Sequence, residues 1–139
     1  MSDAEKNTET LKRCYARWHE SKGDSVEDWM EILDDQVDFR SLAMGSGSGA
    51  EFTSPLSSKT AVKGYFDGLL EQWQMIHYTV DDYVAEGDMV CAIGSTAWTH
   101  KGTGKTVDTP KVDVWRFRDG KAVAFFEFYD TAALFAGAS

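Results

Sequence analysis

KVDVWRFRDGKAVAFFEFYD, residues 111–130, decides how this chain folds. Asp119-Gly120 supplies the two positive-φ positions of a tight type I′ turn between two β-rich runs, so the stretch reads as a long hairpin. Alternation fixes its faces. Asp113 points with Trp115 and Phe117, while Val112, Val114 and Arg116 take the other side. On the returning strand Val123, Phe125, Glu127 and Tyr129 share one face and Ala122, Ala124, Phe126 and Phe128 the other. Each strand thus sets one acid among large apolar neighbours. A carboxylate there is costly unless it is paired or protonated.

The 139 residues suit one domain, residues 1–139, able to close a core around a cavity. A hydrophobic content of 42% with 13% aromatic residues is that of a globular protein with an aromatic interior, and no apolar run is long enough to span a bilayer. The polar first ten residues lack the apolar core of a secretory signal, which makes the cytoplasm the expected location. A net charge of −9 without a basic stripe argues against nucleic acid and anionic membranes as partners. Cys14 and Cys91 belong to no Cys-x-x-Cys or Cys/His cluster and are expected to be buried free thiols. His19, His77 and His100 are isolated, so no metal is expected.

Ahead of the hairpin, residues 4–21 carry Leu11, Cys14, Tyr15 and Trp18 at helical spacing. Tyr15 and Trp18 are either core or the lining of a pocket, with core favoured for Trp18. Ser25 is placed to cap a second, short helix whose buried side is Trp29, Ile32 and Leu33. A short strand containing Val37 and Phe39 follows. Residues 43–57, AMGSGSGAEFTSPLS, read as a mobile loop and a candidate lid, without the spacing of a nucleotide-binding loop. Ser57 or Ser58 caps a third helix with the stripe Val62, Tyr65, Phe66, Leu69, Leu70 and Trp73. Strands over 76–86 and 89–99 meet at Gly87-Asp88, the hairpin follows, and Asp130 caps a terminal helical turn. Three helices followed by a meander of strands predict an α+β domain, a curved mixed or antiparallel sheet wrapped as a cone around three N-terminal helices.

The order of elements, with Gly87-Asp88, Asp113-Val114-Trp115-Arg116-Phe117, Asp119-Gly120-Lys121 and Glu127-Phe128-Tyr129-Asp130, resembles the nuclear transport factor 2-like superfamily over nearly the whole chain. Within it the likeness is to SnoaL-like polyketide cyclases and ketosteroid isomerase-related proteins. The resemblance implies that Glu127 is the general acid/base, that Asp113 occupies the pocket position of a histidine in the cyclases and of a protonated, donating aspartic acid in the isomerases, and that Tyr15 lies within one residue of the isomerase oxyanion tyrosine. It departs at the isomerase base, whose position holds Phe39 here, with Asp38 beside it on the opposite face. Pairing in this superfamily implies a homodimer through the convex sheet face.

The reading is therefore an apolar pocket lined by Trp18, Phe39, Phe66, Trp115, Phe117, Phe125 and Tyr129, with Asp113 and Glu127 at its base. Two carboxyls there repel if both ionise, so one is expected to keep its proton. Such a pair suits cofactor-free proton transfer, an isomerisation or aldol-type cyclisation of a small, mostly apolar carbonyl compound. The alternative is a non-catalytic ligand-binding or dimerisation module on the same fold. Epoxide hydrolysis ranks last, since Arg116 has the wrong parity to join Asp113 and Arg40 is the only other candidate.

Overall fold

The computed structural model describes all 139 residues. Helix α1 (Asp3–Glu20) starts at a capping box in which Ser2 and Glu5 satisfy each other's backbone N–H groups, and it buries Leu11, Cys14, Tyr15 and Trp18 on one face. Helix α2 (Val26–Ile32) buries Trp29 and runs directly into β1 (Leu33–Ser41). A 3₁₀ turn (Glu51–Thr53) and a three-residue strand β2 (Leu56–Ser58) lead to α3 (Lys59–Gln72), whose first turn is capped by Ser58 accepting from Ala61 N–H. Then come β3 (Trp73–Glu86), β4 (Met89–His100), β5 (Thr106–Arg118), β6 (Lys121–Tyr129) and α4 (Thr131–Gly137).

The strands form one curled, unclosed sheet in the order β2-β1-β6-β5-β4-β3. Only β1 and β6 run parallel; every other neighbour is antiparallel, so the sheet is mixed. The helices lie in its hollow, and one core joins both layers: Trp18 and Phe66 meet edge to face, Trp29 stacks on Trp115, and Phe39 stacks on Phe125. The expected fold class holds, with the C-terminal helical turn extended into a fourth helix. Asp130 caps it, accepting from Ala133 N–H at 3.0 Å.

Four local expectations are corrected. The alternation along β6 breaks at a bulge, where Phe117 pairs with Ala122 and Arg116 with Ala124, leaving Val123 unpaired. Ala122 therefore turns inward and is fully buried. Ser25 makes no side-chain cap; its hydroxyl is buried without a partner. Cys91 lies part-exposed on the outer sheet face, whereas Cys14 is buried, and burial with Asp28 behind it pushes that thiol up to about 11. The Gly/Ser-rich segment, expected to be a mobile loop, is packed down. Ala43, Ala50 and Thr53 are buried, and Trp73 Nε1–H donates to Gly49 O at 2.9 Å. Its glycines make that possible, since a Cβ at Gly47 would come within 2.6 Å of the Phe135 ring and one at Gly49 within 2.4 Å of Ala138.

Candidate functional site

Between the helices and the concave face lies a cavity of about 100 Å³ lined by 23 residues, 17 of them hydrophobic. Trp18, Phe39, Phe66, Trp115, Phe125 and Tyr129 line it, as do Tyr15, Asp113 and Glu127. Phe117 does not. It is buried beyond Trp115, across the ladder from the bulge at Val123.

Asp113 and Glu127 are directly opposed across β5 and β6, and both are almost wholly buried, at 2% and 4% exposure. The residue between them is Lys111, which had no place in the expected site. Its Nζ donates to Asp113 Oδ1 and, at 2.5 Å, to Tyr78 Oη, and it stands 3.0 Å from Glu127 Oε1. The repulsion that called for a shared proton is thereby offset by a cation, so the expected carboxyl pair is a carboxylate–ammonium–carboxylate triad. Burial alone pushes the Lys111 ammonium down, but Asp113 and then Glu127 outweigh it and hold its pKa above the ordinary lysine value.

Three phenols complete the cluster. Tyr15 and Tyr78 each donate to Asp113 Oδ2 at 2.5 Å, Tyr65 donates to Glu127 Oε2 at 2.6 Å, and Trp115 Nε1–H donates to Tyr15 Oη at 2.9 Å. Burial first, then the facing carboxylate, raises all three tyrosines well above the usual phenol value, so they serve as neutral donors. Tyr129 shares a 2.5 Å hydrogen bond with Ser41.

Asp113 thus accepts three hydrogen bonds, while Glu127 has one polar contact on each oxygen. Since a carboxylate offers about four lone-pair sites, Glu127 keeps the greater capacity to take a proton from something in the cavity. Tyr15 is spent on Asp113, so the structure gives it a positioning role toward that acid. Phe39 lines the cavity where the isomerase likeness would put a base, and Asp38 faces solvent, paired with Arg40 at 3.1 Å. Neither Arg40 nor Arg116, which pairs with Asp88, lines the cavity, so the Asp-Arg-Asp arrangement of the epoxide reading is missing.

Lys111, Tyr65 and Tyr78 escaped the sequence reading. Lys111 had a signal, for it stands two residues before Asp113 and so shares its face. Tyr65 belonged to the α3 stripe and passed for an apolar residue. Tyr78 joins the cluster because β3 curls over it, which no local pattern announces.

A curled, unclosed sheet wrapped around helices, with a buried polar cluster on the wall of the cavity between them, defines the class, the NTF2-like fold. Solved structures share it, among them the following three. An NTF2-like protein of Burkholderia xenovorans is 18% identical, with a TM-score of 0.80 over 99% of this chain and 98% of its own. An NTF2-like protein of Burkholderia thailandensis is 22% identical, with a TM-score of 0.80 over 96% and 97%. A protein of ketosteroid isomerase-like fold from Catenulispora acidiphila, in complex with trimethylamine, is 14% identical, with a TM-score of 0.74 over 94% and 92%. Residues 11–125 match the SnoaL-like domain, and the chain belongs to that family. No curated protein matches its sequence.

Proposed function

We propose that the cavity binds a small, mostly apolar carbonyl compound and that Glu127 moves a proton at the carbon beside the carbonyl, without a cofactor. The observation that carries this reading is Glu127 itself, a carboxylate with spare acceptor capacity on the wall of an otherwise apolar cavity. As the C–H bond breaks, its electron pair enters a new C=C bond, the carbonyl oxygen gains negative charge, and the proton sits on Glu127. Lys111 then loses the anion at its side just as the substrate gains one, so the ammonium stabilises the enolate electrostatically. Return of the proton to another carbon gives an isomerisation, and attack of the enolate carbon on a second carbonyl gives an aldol-type ring closure. Asp113 accepts no proton in this scheme. It holds Lys111, Tyr15 and Tyr78 in place.

A specific observation favours the second reading, a non-catalytic binding module. Every oxygen of the two carboxylates already has a partner within the protein, which is how a purely structural polar core is built. Conversion of cyclohex-3-enone to its conjugated isomer, followed by ultraviolet absorbance, separates the two. The enzyme reading expects a rate above buffer that falls about 100-fold or more in Glu127→Gln. A wild-type rate equal to buffer with the enone bound favours the module.

A further inference from the structure

The charges on the cavity wall do not balance. Asp113 receives the Tyr15 and Tyr78 hydroxyls and the Lys111 ammonium, and Glu127 receives the Tyr65 hydroxyl with the same ammonium beside it. A carboxyl whose contacts are all donors has no acceptor for a proton of its own, so these contacts favour both acids as anions. Two carboxylates against one ammonium leave one negative charge in excess.

Nothing else on the wall offsets it. No arginine or histidine lines the cavity, and the hydroxyl protons of Thr53, Thr96 and Thr109 go to the carbonyls of Ala50, His77 and Pro110. Most of the remaining wall is aromatic or aliphatic. A buried charge without a counter-ion is costly, and an apolar wall does not solvate an anion. Aromatic faces do accept a cation, and the cavity already shows it: Lys111 Nζ lies 5.0 Å from the centre of the Tyr78 ring and 5.8 Å from that of Phe125.

We infer that the ligand supplies the missing positive charge: the cavity selects a small ketone or aldehyde that also bears a protonated amine, and it shuts out anionic carbonyl compounds such as 2-oxo acids. The inference rests on the proposed function for the carbonyl group and adds the charge that chooses among carbonyl compounds. A protonated amine exchanges water for an excess anion and for ring faces. An incoming carboxylate meets the opposite field, because the one ammonium is already engaged by Asp113, Tyr78 and Glu127, and a second excess anion is repelled.

The test uses two pairs of ligands matched in shape and different in charge. Cyclopentanone is compared with pyrrolidin-3-one in mildly acidic buffer, where the ring nitrogen of the latter is protonated, and pyruvamide is compared with pyruvate. Calorimetric titration of the wild-type protein should show pyrrolidin-3-one binding about tenfold more tightly than cyclopentanone, and pyruvate at least about tenfold more weakly than pyruvamide. Glu127→Gln removes the excess charge, so it should bind pyrrolidin-3-one no better than cyclopentanone. The wild-type comparison needs no variant and decides the matter even if Glu127→Gln folds poorly. Pyruvate binding as well as pyruvamide overturns the inference, as does cyclopentanone binding as well as pyrrolidin-3-one, or no binding of pyrrolidin-3-one at all. Failure of the base is separable from failure of the charge. Preference for the cation without hydrogen exchange beside its carbonyl upholds the charge and refutes the base, and exchange into cyclopentanone without that preference does the reverse.

Discussion

Lys111 is the residue on which the site turns. An ammonium held between two buried carboxylates makes each of the three tolerable to the other two, and removing one leaves charge stranded in an apolar cavity. Lys111→Met, similar in length and uncharged, is expected to lose about 3–5 kcal/mol in urea denaturation. Glu127→Gln removes only the longer of the two ion pairs and should lose less. A carboxyl pair sharing a proton would give the opposite sign for Glu127→Gln, since the amide would relieve repulsion. The pH dependence follows from the same contacts. Lys111, Tyr15, Tyr65 and Tyr78 all have folded pKa values raised above their unfolded ones, so the native state binds more protons. Their contribution is fully present below the unfolded values of about 10 and is lost as pH climbs through the higher folded values. Tyrosinate absorbance from these phenols should accordingly appear together with loss of native circular dichroism above about pH 10. A gradual rise while the fold persists would show that they ionise in the native state. The two acids were legible from strand parity, and the same parity sets Lys111 on the face of Asp113. What hid it was treating each acid as a lone charge, without asking which cation the alternation sets beside it.

At the scale of elements, turn and cap chemistry carried from sequence to structure except at Ser25, whose hydroxyl caps nothing. Asp119 and Gly120 both take positive φ, at 52° and 80°, as a two-residue hairpin requires, and Ser58 and Asp130 cap their helices. Ser58→Ala should cost about 1 kcal/mol, measured by urea denaturation, because the α3 N-terminus would lose the acceptor for Ala61 N–H. A change within error would mean that packing alone fixes this end of the helix. Two of the failures have a common cause. The bulge at Val123 and the packing of residues 43–57 against α4 depend on partners distant in sequence, namely Phe117 across the ladder, and Phe135 and Ala138 from the chain's end. Glycine and serine signalled the absence of regular structure there. They carried no information on whether something would be packed against it.

For the whole molecule, the outer face of the sheet is the next surface to account for. Two cross-strand rows run over it, Val84, Cys91, Val114 and Phe126 in one and Ile93, Val112 and Phe128 in the other. Phe126 and Phe128 stack at 4.4 Å, and Phe128 is 38% exposed. We propose that a second copy of the chain covers this face, as the superfamily likeness implies, because monomers rarely leave so continuous an apolar surface in water. Light scattering should return a dimer that Phe128→Lys turns into a monomer, and a wild-type monomer at micromolar concentration would refute the pairing. The cavity on the other face carries the central claim, that Glu127 is a base acting on a bound carbonyl compound. Hydrogen exchange into cyclopentanone in heavy water, followed by NMR, tests it independently of any product. The wild type should exchange the hydrogens beside the carbonyl faster than buffer, and Glu127→Gln, shown to be folded and to bind the ketone, should not. Exchange that persists undiminished in Glu127→Gln, or that never exceeds buffer in the ketone-bound wild type, would contradict the account.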